Sequence, residues 1–107
     1  YATYTKENPQ TGEIYSGRTS GYGDIEDIIE KRDSNHHMSA KGFERARPDM
    51  ASTNKSAIRG REQMLIEKYG GAKSMGGTSG NAINGIGPLN LNKSMYINNA
   101  LNEFGNI

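Results

Sequence analysis

With 107 residues and a mass of 11.7 kDa, the chain has the length of one domain, so one core and at most one active site are to be sought over residues 1–107. The absence of cysteine excludes a disulfide framework, a zinc knuckle and a thiol nucleophile, and no apolar run is long enough to cross a bilayer, so no membrane is expected among its partners. Leu, Ile, Val and Phe are scarce, but a net charge of +1 is too small for charge-driven disorder and also excludes a strongly basic protein.

Residues 1–6 (Tyr-Ala-Thr-Tyr-Thr-Lys) and 14–19 (Ile-Tyr-Ser-Gly-Arg-Thr) are rich in strand-forming types and flank the turn-forming Asn8-Pro9-Gln10-Thr11-Gly12, which predicts an antiparallel hairpin. Ser20-Gly21-Tyr22-Gly23 breaks the second strand. Asp24 is a suitable N-cap for a helix carrying Ile25, Ile28 and Ile29 at helical spacing and running to about His36. Residues 42–46 read as a short helical turn closed by Pro48, and 49–54 as a polar link. A second helix is predicted from about Lys55 to Tyr69, with Ile58, Leu65, Ile66 and Tyr69 on one stripe and Gly70-Gly71 as its stop. Residues 70–92, dense in Gly, Ser, Thr and Asn, read mostly as loop, and long ordered loops in compact domains are usually functional. A last helix over about 94–104 places Tyr96, Ile97, Ala100, Leu101 and Phe104 on one face.

Charge is segregated along this chain. Residues 1–30 hold six acids against Lys6 and Arg18, whereas residues 41–61 hold Lys41, Arg45, Arg47, Lys55, Arg59 and Arg61 against Glu44 and Asp49, a candidate anion-facing stretch. The start at Tyr1 rather than Met fits a segment of a longer polypeptide, and no stretch reads as a signal peptide.

Several polar residues fall on faces that should be buried. Glu62 lies between Ile58 and the Leu65-Ile66 pair on the apolar stripe of its helix, so its carboxylate needs a partner: an Arg of the first helix in an ion pair, or a metal ion. Arg32 and His36 continue the inner face that starts at Ile25, pointing the same way, while His37 lies about 100° round the helix and faces solvent. A guanidinium in such a place is a cap, an ion pair or, with a histidine one turn on, a phosphate contact. The pair His36-His37 is also a weak pointer to a ββα-metal nuclease, but two adjacent histidines would leave the remaining ligands to Asp, Glu or Asn. Residues 76–81 share only composition with a phosphate-cradling loop, since the Gly-Lys-Ser/Thr ending is missing.

Tyr4 and Tyr15 stand in the two predicted strands, Gly17 follows two residues after Tyr15, and Arg32, His36, Glu62 and a later asparagine follow in that order. This order resembles the GIY-YIG nuclease family over roughly residues 1–84, with Ala2-Thr3-Tyr4 in place of Gly-Ile-Tyr and Tyr15-Ser16-Gly17 in place of Tyr-Ile-Gly. The departures are Thr3 and Ser16 for the two isoleucines, a glycine-rich insertion before Arg32 and a long gap between Glu62 and either Asn81 or Asn84. The resemblance implies an α+β fold with a small antiparallel sheet of about three strands flanked by helices, the third strand near 82–86. It implies Tyr4 as base or water-orienting phenol with His36 placed to accept its proton, and Tyr15 positioning water or phosphate. Arg32 would hold the scissile phosphate, Glu62 would be the one protein ligand of Mg2+ or another divalent ion, and Asn84 or Asn81 would be the closing asparagine. Gly17, Arg18, Arg59, Arg61 and Asn81 are the candidate substrate contacts.

The activity so implied is metal-dependent endonucleolytic hydrolysis of DNA. The alternatives are a ribonuclease of the same fold and a non-catalytic module that binds nucleic acid or a partner, with Glu62 and Arg32 forming a buried pair. A short cysteine-free nuclease domain also resembles the C-terminal warheads of secreted polymorphic bacterial toxins. That resemblance implies delivery into the cytoplasm of a target bacterial cell and a cognate immunity protein, for which an acidic partner docking on residues 41–61 is the expectation.

Overall fold

A computed structural model describes residues 1–34 and 36–107. The expected hairpin is present as β1 (Ala2–Glu7) and β2 (Ile14–Thr19), paired antiparallel with Tyr4 opposite Gly17 and Lys6 opposite Tyr15. Asn8 closes the turn, its Oδ1 accepting from the backbone N–H of Gln10 at 3.0 Å and its own N–H donating to the Glu13 carbonyl at 2.9 Å.

The third strand is not near 82–86. It is β3 (Arg47–Ala51), antiparallel to β1, which makes β1 the central strand in the order β2-β1-β3. Pro48 and Asp49 argue against a strand in sequence, but β3 is an edge strand, where a missing N–H is tolerated. The register slips between Ala2 and Tyr4, and Thr3 fills the irregularity. Its hydroxyl donates to Asp49 Oδ2 at 2.8 Å and accepts from Met50 N–H at 3.1 Å. The free edge of β2 is covered by loop rather than strand. Gly80 N–H donates to the Ile14 carbonyl, and the Asn81 amide accepts from Ser16 N–H and donates to the Ser16 carbonyl, all at 2.8 Å. One side chain thus satisfies the backbone groups a fourth strand would have paired.

The first helix, α1 (Ile25–Asp33), stops short of His36. Its last residue turns inward, where the Asp33 carboxylate takes the Lys6 ammonium and the Ala46 N–H, and residue 35 lies outside the described residues. The helical turn expected at 42–46 occurs earlier, as a single 3-10 turn at Ser39–Lys41. α1 covers the sheet face that carries Ala2, Tyr4, Lys6 and Tyr15, with Ile29 and Ala46 packed on Ala2 and Tyr4. α2 (Lys55–Lys68) begins at Asn54, whose Oδ1 accepts from Ala57 N–H at 3.2 Å, and meets the sheet from the side of Thr3, Ser16 and Arg18. α3 (Lys93–Phe104) packs on α2 through Ala100. No helix among the described residues is long and apolar enough to cross a membrane.

Candidate active site

Strand alternation puts Tyr4 and Tyr15 on one face of the sheet, with ring centroids 6.4 Å apart. Tyr4 is 1% exposed, and its ring lies against Gly17: a Cβ there would stand 2.5 Å from Tyr4 Cζ and Oη. The Tyr-x-Gly spacing in β2 therefore has a steric cause, since only a residue without a side chain leaves room for the phenol opposite it.

His36, on the segment after α1, completes the cluster. Its Nε2 is 2.8 Å from Tyr4 Oη, and its ring meets those of Tyr4 and Tyr15 edge-on at 5.6 and 5.1 Å. The Met38 N–H donates to His36 Nδ1 at 3.1 Å, so the neutral imidazole carries its proton on Nε2 and donates it to Tyr4 Oη. This reverses the direction that the resemblance implies: at rest His36 is a donor to Tyr4 rather than an acceptor from it. Burial, then the charges of Arg32 and Lys6 and the neighbouring His37, push the His36 pKa down to about 4, which keeps the neutral donor tautomer at neutral pH. Both phenols are pushed up. Burial is the main cause for each; Tyr15 adds to it for Tyr4, Glu62 adds to it for Tyr15, and Arg32 pulls both down. Arg32 thus acts on both hydroxyls, and it makes no ion pair among the described residues.

Glu62 is 8% exposed, as its place on the stripe of α2 requires, but its partner is not an Arg of α1. Arg18 of β2 approaches it, Nε to Oε1 at 3.6 Å, which is too long for a good hydrogen bond. Gly85 lies against the carboxylate, where a Cβ would be 2.2 Å from Oε1. Burial raises the Glu62 pKa, and Arg18 and Arg59 only partly offset this. The result is a buried carboxylate short of positive charge, which suits a single-carboxylate magnesium site that takes its other ligands from water and phosphate. No group of three His, Cys, Asp or Glu converges on one point among the described residues.

The remaining predicted residues divide. Arg18 lies beside Glu62, whereas Arg59 stacks 4.6 Å from the ring centroid of Tyr96 in α3 and donates to its hydroxyl at 3.0 Å. Arg61 does not join the cluster: it is buried and held by Asp49 through two hydrogen bonds of 2.8 and 3.0 Å. Asn81 is spent on Ser16. Asn84 accepts from Gln63 Nε2 at 3.0 Å, while Gln63 Oε1 accepts from Ile86 N–H, so this asparagine fastens the loop that covers Glu62.

One residue with a part in the site, Lys6, was not singled out by sequence pattern. Lys6 is fully buried, paired with Asp33 and donating to Ser39 Oγ at 2.9 Å, so it ties β1 to both ends of the segment that carries His36. Its place in the alternation Ala2, Tyr4, Lys6 was the available signal. His37 is exposed, as expected, yet it stacks on His36 with centroids 4.7 Å apart and meets Tyr15 edge-on at 5.8 Å. No protein-family model, curated protein or solved structure matches the chain.

Proposed function

We propose that this domain is a divalent-metal-dependent endonuclease that hydrolyses phosphodiester bonds in DNA. The observation that supports it most is the contact of Tyr4, Tyr15 and His36 on one face of the sheet, within range of the charges of Arg32 and Glu62. Phosphodiester hydrolysis needs an oriented water that loses its proton, positive charge where negative charge develops, and fixed placement of the phosphate. Tyr4, a neutral phenol whose pKa burial raises, orients the attacking water. His36 is a positioning residue whose Nε2–H holds the phenol oxygen in place, and Arg32 holds the phosphate and stabilises the charge that develops on it. Tyr15 orients water or phosphate from the same face. Glu62 would hold the metal ion, and a magnesium ion bound there supplies positive charge to the phosphate and lowers the pKa of the attacking water, whose proton leaves to solvent.

The Arg18–Glu62 approach favours a second reading, a non-catalytic nucleic-acid-binding or partner-binding module in which this pair is structural. On the resemblance to toxin warheads, the domain would be an effector delivered into a bacterial cell and matched by an acidic immunity protein. The docking residues would then be Lys41, Arg47 and Lys55, which are exposed, whereas Arg61 is committed to Asp49. The test is the purified domain on supercoiled plasmid and on total RNA, with magnesium or with EDTA. Magnesium-dependent plasmid cleavage is expected; degradation of RNA alone would make it a ribonuclease, and two intact nucleic acids would leave the binding module.

A further inference from the structure

A cavity of about 550 Å³ opens beside the tyrosine cluster, between the β1–β2 turn, the segment 37–43 and the loop at 80–83. Its size falls within the range of about 300–1,000 Å³ that holds small ligands. Three planar rings line it: Tyr15 and His37, both shared with the cluster, and Phe43. Phe43 is seated on the bare backbone of Gly80, where a Cβ would stand 2.8 Å from the ring and 3.0 Å from Tyr15 N. The loop closing the edge of β2 therefore also forms one wall of the cavity. Lys41, exposed and without an ion pair among the described residues, and Lys73, paired with Glu13 at 2.6 Å, line it too.

We infer that this cavity receives one unstacked nucleobase of a nucleic-acid strand, the base adjoining the phosphate held at Tyr15 and Arg32. The inference rests on the nuclease reading for the placement of that phosphate. Aromatic and imidazole rings suit any base, because every base presents a π-face, and the lysines suit the backbone that carries it. A duplex would have to extrude that base, so the site selects strands that are single, looped or easily unstacked.

The test uses the whole domain in EDTA, so that nothing is cut, titrated with three probes: a thymidine trinucleotide, a trimer of abasic deoxyribose phosphates carrying the same charge, and thymidine monophosphate. The trinucleotide is expected to bind about tenfold tighter than the abasic trimer. It should also shift the amide resonances of Phe43 and Gly80. His37→Ala, a change at an exposed side chain, should bring that ratio close to one with the fold retained. Equal binding of the two trimers would overturn the base pocket and leave a phosphate track alone, and monophosphate binding as tight as the trinucleotide would replace the strand with a free nucleotide. A plasmid assay run in parallel separates this inference from the one it rests on. Cleavage with equal trimer binding removes only the pocket, and a tenfold ratio without cleavage removes only the catalysis.

Discussion

Gly17→Ala places one methyl group where the Tyr4 phenol now lies, 2.5 Å from Cζ and Oη, well inside van der Waals contact. The ring cannot tilt away freely: it is 1% exposed, packed on Ala2, Ile29 and Ala46, and bonded to His36. Overpacking of this kind costs about 1–3 kcal/mol, and alanine's lower entropy cost in a strand offsets about 0.5–1 kcal/mol of it. A net loss of about 1 kcal/mol is therefore expected in urea unfolding, with a fall in Tm of about 5 °C for a domain of this length. Because the clash is with one side chain, the loss must couple to it. In a double-mutant cycle with Tyr4→Ala, which vacates the space, the Gly17→Ala penalty should fall to zero or below, leaving a coupling of about 1–3 kcal/mol. Additive losses would refute the steric account of the Tyr-x-Gly spacing, and so would an unperturbed Gly17→Ala protein.

Other perturbations test separate links of the account. Arg32→Ala should lower kcat on plasmid by at least a hundredfold while changing DNA affinity only a few-fold, because its charge is placed for the transition state; equal losses in both would make it a binding contact. Asp33→Ala leaves the buried Lys6 ammonium unpaired and should cost about 3 kcal/mol, most of it recovered in Lys6→Met/Asp33→Leu; additive costs would show that the pair is not a unit. His36 has a folded pKa of about 4 against an ordinary 6.5, so below pH 6.5 the unfolded chain binds the extra proton first. Stability is then full above pH 6.5 and falls as pH drops from 6.5 to 4, by about 2 kcal/mol after allowance for solvent screening. His36→Gln should flatten that part of the profile, and an unchanged slope would place the titrating group elsewhere.

Much of this architecture is written in local pattern. The hairpin follows from β-branched and aromatic runs around Asn8-Pro9, and α2 and α3 from apolar residues at helical spacing. Glu62 could be found because a carboxylate on an apolar stripe breaks that pattern. β3 could not be found this way. Pro48 and Asp49 are poor strand formers, and what pairs them is long-range: an edge position beside β1 and a Thr3 hydroxyl that fills the irregular register. The end of α1 was hidden for a similar reason, since Asp33 is drawn off by Lys6 from another strand. Local pattern also does not say which guanidinium meets which carboxylate. Arg61 and Arg18 look alike in sequence, yet Asp49 takes the first in a bidentate pair and Glu62 meets the second loosely.

The central claim is that Glu62 is a metal ligand rather than half of a structural pair. Wild type and Glu62→Gln, which keeps the shape and removes the charge, should be compared on supercoiled plasmid with magnesium or EDTA, alongside thermal melts of both proteins. The account predicts magnesium-dependent cleavage in the wild type, its loss in the variant, and a change in Tm of no more than a few degrees. A variant that still cuts, or one that has lost several kcal/mol of stability because Arg18 is left without its partner, would contradict it.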